Sequence, residues 1–148
     1  MDWDELTEKE VDKLYLIACV EDRMGMLFNH RRVSQDKAVC KNIIDMCEKQ
    51  KIYIQEYSSV LFKDHDPDNI KIMKDFFSSD LRGQYVFIEN PESVKEEMLE
   101  KIILYRWNRK YPADQFFPID LTGWKLSEKD EFSGNSHEKI TKEIYVRK

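Results

Sequence analysis

The side chains best suited to chemistry gather near the end of the chain. His137, Lys139 and Glu131 flank the turn cluster Ser133-Gly134-Asn135-Ser136. A histidine changes charge near neutral pH and passes protons, a lysine stabilises developing phosphate charge, and a carboxylate completes an acid/base pair. That set suits cutting or gripping a phosphodiester. A second set, Arg106, Trp107, Arg109, Lys110 and Tyr111, interleaves cations with aromatic rings and suits an acidic partner or nucleic acid.

Residues 124–148 must position the first set, and they read as a hairpin. The run Ile140-Thr141-Lys142-Glu143-Ile144-Tyr145-Val146 is rich in β-branched and aromatic residues. Gly134 and Asn135 tolerate the positive φ of a turn. Pairing Phe132 with His137 sets apolar residues against charged ones. Pairing Ser133 with His137 instead puts Trp124 opposite Val146 and Leu126 opposite Ile144 on a buried face. The outer face then sets Glu131 against Lys139 and Lys125 against Tyr145. Alternate strand residues lie about 7 Å apart, so His137 and Glu143 are too far apart to share a proton, whereas His137, Lys139, Thr141 and Glu131 converge. The plainer account of this face is a solvated surface with a Glu131–Lys139 pair. A helix here also stays open, because Ile140 and Ile144 are four apart.

Earlier in the chain the pattern reads as helical. Thr7 and Glu10 form a capping box, with Trp3 and Leu6 before it. Leu14, Ile17, Met24 and Phe28 then predict an amphipathic helix over 7–29. Within it, Arg23 and His30 have an R-x6-H spacing. This resembles the R-x(4–6)-H motif of the all-helical ribonuclease family that prokaryotic toxins often use, a resemblance that implies an all-α fold. Ser34 caps a second helix, whose stripe of Val39, Ile43, Met46, Tyr53, Tyr57 and Leu61 runs to Lys63. A break near Lys51 is the alternative, and residues 51–54 alone pass for a short strand.

Asp64, Asp66 and Asp68 have the spacing that opens an EF-hand loop, with Asp75 at its twelfth position. The sixth position is Asn69 rather than Gly. Asp66 as a helix cap with Pro67 at the first helical position accounts for the same residues, so no metal is expected. Ile70, Met73, Phe76 and Phe77 predict a short helix. Residues 84–89 predict a strand covered on both faces. Asn90-Pro91-Glu92 restarts a helix carrying Val94, Met98, Ile102 and Tyr105, which would bring Arg106, Arg109 and Lys110 onto one face at its basic end. Residues 115–121 predict an edge segment, because Pro118 lacks an amide hydrogen.

Composition bounds the rest. The 148 residues are 41% hydrophobic and 36% charged, with a formal net charge of -5. That predicts one folded domain over 1–148, with no general attraction to nucleic acid or anionic membrane. The acidic start is unlike a signal peptide, and no apolar run suits a membrane helix. Cys19, Cys40 and Cys47 are expected to stay reduced in a cytoplasmic protein. Without a GxGxxG, GxxxxGK[ST], C-x2-C or HExxH pattern, no cofactor is expected.

Together these readings predict an α+β fold: a helical N-terminal half packed on a small, mostly antiparallel sheet with a C-terminal β-hairpin. The function expected is non-catalytic binding of another macromolecule, most simply a protein, through the polar sheet face and residues 106–111. One alternative is a small metal-independent ribonuclease, with His137 as acid/base, Glu131 as its counterpart and Lys139 on the phosphate. A second is an acidic antitoxin or inhibitor that masks a basic site.

Overall fold

The computed structural model describes residues 13–148 apart from 49, 66 and 79. The capping box at Thr7 and Glu10 lies outside the described residues, as does Asp66 of the calcium-like run.

Leu14-Tyr15-Leu16-Ile17-Ala18-Cys19-Val20 is a nearly continuous apolar run, and it forms a strand, β1 (Leu14–Val20). A turn at Met24 (φ 70°) leads into β2 (Gly25–Phe28). Asn29 and His30, at φ 52° and 64°, then turn the chain into β3 (Arg31–Arg32). Two successive positive φ values match the right-handed twist of a tight hairpin. The helix α1 (Lys37–Cys47) follows, and Asp36 rather than Ser34 is its N-cap, accepting from the Ala38 amide.

Next come β4 (Ile52–Ile54), a 3-10 segment (Glu56–Phe62), β5 (Ile70–Ile72) and β6 (Tyr85–Phe87). The helix predicted after Asn90-Pro91-Glu92 is instead β7 (Leu99–Arg106), entered through one 3-10 turn (Glu96–Met98). Short β8 (Gln115–Phe116) precedes the tail hairpin of β9 (Trp124–Phe132) and β10 (Ile140–Arg147).

These strands make a seven-stranded sheet in the order β5-β4-β6-β1-β7-β10-β9 and a three-stranded sheet β3-β2-β8. β1 pairs in parallel with both β6 and β7, and β4 with both β5 and β6. β10 runs antiparallel to β7 and β9. The expected helical half on a small antiparallel sheet is therefore corrected to a large mixed sheet. α1 is the one α-helix among the described residues. The reason is burial on both faces, which removes the alternation that usually marks a strand.

One face of the sheet packs Ile17, Ile54, Phe87, Ile103 and Tyr105 against Val39 and Ile43 of α1. The other packs Leu16, Ala18, Val86 and Ile102 against Phe76 and Phe77 of a 3-10 turn and against Phe117 and Ile119 of an irregular segment. The predicted hairpin register also changes. Phe132 pairs with Ile140 and Trp124 with Arg147, with a bulge between Ile144 and Tyr145. The connection becomes residues 133–139, so His137 leaves the strand face and enters a loop. No helix among the described residues is long and apolar enough to cross a membrane.

Candidate functional site

All five parallel strands point their carboxyl ends to one edge of the sheet. In an open α/β sheet that edge is where loops gather and ligands bind. The loop 133–139 folds onto this edge beside the start of α1. Gly134 permits it: a Cβ there would stand 2.7 Å from Asp36 Oδ2 and 2.7 Å from the His137 carbonyl oxygen.

The contact it makes is a buried polar chain. The amides of Asn135 and Ser136 each donate to the Asp36 carboxylate at 2.8 Å, as does the Ala38 amide. His137 Nδ1 lies 2.8 Å from Asp36 Oδ2, although the two residues are 101 positions apart. The side chains of His137 and Asp36 are 3% and 0% exposed. Burial alone would raise the Asp36 pKa. The Asn135 amide, the His137 ring and the Ser136 and Ala38 amides outweigh it and hold the carboxyl well below its usual range. A carboxylate only accepts, so Nδ1 carries a proton.

With the ring neutral, Nε2 is the acceptor. It faces the Ser34 hydroxyl at 2.9 Å and the Tyr111 hydroxyl at 3.0 Å, and Ser34 can also donate to Tyr111 at 3.3 Å. The indole of Trp107 stacks on the imidazole at 4.7 Å between centroids. Buried Glu21 positions Tyr111, because its carboxylate accepts from the amides of Arg23, Gly25 and Tyr111.

A second buried ion pair stands nearby. Arg32 grips Glu89 with two hydrogen bonds of 2.7 and 3.0 Å, and the Ser58 hydroxyl adds one at 2.8 Å. Tyr57 lies against the guanidinium at 4.3 Å. Between the two pairs lies a cavity of about 20 Å³ lined by Cys19, Ser34, Asp36, Cys40, Glu89 and Trp107 among others. That is room for about one water. Burial pushes the Cys40 thiol up to about 11, so it stays protonated and unreactive.

Outside, a groove of about 830 Å³ runs between the exit of β7 and the hairpin loop, with Trp107, Arg109, Glu131, His137 and Lys139 on its walls. The structure thus gathers His137, Glu131 and Lys139 around one groove. Glu131 and Lys139 pair with each other at 3.4 Å in solvent, whereas His137 turns inward to Asp36.

The second predicted set does not share a face. Strand alternation points Arg106 to Glu143 at 2.5 Å on one side and buries Trp107 on the other. Tyr111 joins His137, Arg109 stands 5.9 Å from the Tyr111 ring, and Lys110 is exposed. Arg23, of the R-x6-H spacing, pairs with Glu21 at a turn, and His30 lies in the next turn. The all-helical scaffold implied by that spacing is absent among the described residues. Asp36 and Ser34 are the residues that sequence reasoning missed as site groups. Their one local signal, Ser or Asp ahead of an apolar helix, says cap and nothing more.

Searches against family models and against curated proteins find no match. A solved structure, dihydrofolate reductase from Enterococcus faecalis complexed with NADP(H) and RAB-propyl, matches with a TM-score of 0.64 and 12% sequence identity. The match covers 93% of this chain and 97% of that one. The likeness gives this chain the fold of that enzyme. It corrects the expectation of a non-catalytic binding protein. The ribonuclease and the antitoxin or inhibitor alternatives are corrected by the same likeness.

Proposed function

We propose that this chain is an enzyme that acts on a small molecule by proton transfer, with His137 as the acid/base and Asp36 as the carboxylate that orients it. The observation that carries the reading is the bond from His137 Nδ1 to buried Asp36, with Nε2 turned toward two hydroxyls at the carboxyl ends of the parallel strands. A fixed Nδ1–H leaves Nε2 free to take a proton and return it, and Asp36 stabilises the imidazolium between the two events. Trp107 holds the ring plane, and the groove beside it offers an approach for substrate. Glu131 and Lys139 line that approach and contribute charge at its rim.

The neighbour of like fold binds NADP(H), so the fit of a dinucleotide deserves a physical test. A pyrophosphate takes free amides at a helix N-terminus or a Gly-rich turn. Here the Ala38 amide at the start of α1 is taken by the Asp36 carboxylate, which also places a negative charge there, and the loop amides of Asn135 and Ser136 donate to the same carboxylate. Gly25, beside the exit of β1, spends its amide on Glu21, and the exit of β6 presents the carboxylate Glu89. These residues do not fit NADP(H), and the chemistry proposed here does not use it.

The test is incubation with a pool of small metabolites followed by mass spectrometry, using native protein and His137→Gln in parallel. Conversion that is lost in the variant is the expected result. A folded native protein that converts nothing would overturn the reading. Adding NADPH and dihydrofolate and following NADPH absorbance checks the neighbour's reaction, for which no turnover is expected.

A further inference from the structure

Ser34 Oγ, His137 Nε2, His137 Nδ1 and Asp36 Oδ2 form an unbroken chain of 2.9 and 2.8 Å contacts. This is the order of contacts that activates a hydroxyl nucleophile: hydroxyl on Nε2, carboxylate on Nδ1–H. Such a triad is recognised by geometry and roles, so an unfamiliar fold and chain order do not count against it. Resting on the proton-transfer reading above, we propose that Ser34 is a nucleophile and that the protein is an acyl hydrolase for short-chain carboxylic esters.

Three observations narrow the substrate. Ser34 is half-buried and opens on the small cavity, whose volume of about 20 Å³ holds about one water, so a long acyl chain does not fit there. Trp107 lines both this cavity and the outer groove, so the alcohol portion is placed in the groove. The Tyr111 hydroxyl accepts from Ser34 Oγ at 3.3 Å in the resting site, and its own proton can turn to an oxyanion forming beside it.

The steps balance. Ser34 Oγ attacks the acyl carbon as its proton passes to His137 Nε2. The C–O bond to the alcohol breaks, and the alcohol leaves with that proton. Water then gives a proton to Nε2 and its oxygen to the acyl carbon, and Ser34 recovers the proton as the carboxylic acid departs. Asp36 keeps its charge throughout and acts as a positioning residue.

Two further hydroxyls compete for the same histidine. Tyr111 shares Nε2, and Ser136 Oγ lies 3.3 Å from Nδ1. The experiment therefore maps the site of modification. Native protein, Ser34→Ala and His137→Gln are each treated with a fluorophosphonate probe, and the labelled peptide is identified by mass spectrometry. Circular dichroism checks folding first. Hydrolysis of p-nitrophenyl acetate and p-nitrophenyl decanoate is measured alongside. The expected result is one adduct on Ser34 in native protein, none in Ser34→Ala, and labelling slowed by about a hundredfold or more in His137→Gln. Acetate is expected to turn over and decanoate not.

No adduct on folded native protein would overturn the proposal, as would an adduct on Tyr111 or Ser136, or equal labelling of Ser34 without His137. Metabolite conversion that needs His137 but proceeds in Ser34→Ala would remove the nucleophile and leave the proton-transfer reading standing. Loss of both labelling and conversion would remove both.

Discussion

Two buried polar pairs face the same small cavity, and they do different things. Arg32–Glu89 joins a guanidinium that never loses its proton to a carboxylate that also accepts from Ser58. Nothing in that pair can move, so it clamps β3 against the exit of β6. Asp36–His137 has a comparably short bond and lies deeper, and one partner is a ring with a second nitrogen aimed at hydroxyls. Burial with full hydrogen bonding makes both pairs structural. Only the second also gives a proton somewhere to go.

Alanine at either acidic partner should sharpen that contrast. Asp36→Ala and Glu89→Ala each leave a buried cation or donor unpaired, and each should cost about 3–5 kcal/mol by urea denaturation. The pairs part company in activity. Conversion by folded Glu89→Gln should stay near native, whereas His137→Gln should lose about 10²–10⁴-fold in rate with a smaller stability cost. Equal loss in both variants would erase the distinction.

The next effect is smaller and concerns how the loop closes. Gly134→Ala places a methyl against the Asp36 carboxylate and the His137 carbonyl, so the loop must lift. A cost of about 1–3 kcal/mol is expected, with a weakened histidine bond visible by NMR. Stability should also depend on acid in a defined sense. Asp36 has a folded pKa below its ordinary 3.8, so its contribution is complete above that value and is lost as pH falls below it. Urea midpoints of native protein should fall through that window more steeply than those of Asp36→Asn. The smallest effect belongs to the exposed pair Glu131–Lys139. Replacing either should change stability by about 1 kcal/mol or less, because water already screens both charges.

How much of this was legible in the sequence depends on the kind of contact. Residues 84–89 announced a doubly covered strand, and the tail announced two strands around a Ser-Gly-Asn-Ser turn. Leu14, Ile17, Met24 and Phe28 fell on a helical period by coincidence. A run such as Leu14–Val20, or Ile102-Ile103-Leu104-Tyr105 in β7, is apolar throughout because both sheet faces are covered, and it carries no period to read. His137 was visible as a candidate from its residue type. Its partners were not, since Ser34 and Asp36 lie 103 and 101 positions away and meet it through sheet topology. Glu131 and Lys139 were found together because a strand pair brings them together locally, and that same locality leaves them in solvent.

The most direct measurement of the central claim is the tautomer of His137, read from long-range proton–nitrogen NMR of the imidazole. The bond to Asp36 predicts a proton held on Nδ1, shifted downfield and slow to exchange, with loss of that signal in Asp36→Asn. A ring protonated at Nε2, or one exchanging freely with water, would contradict it, because the nitrogen facing Ser34 and Tyr111 could then accept no proton.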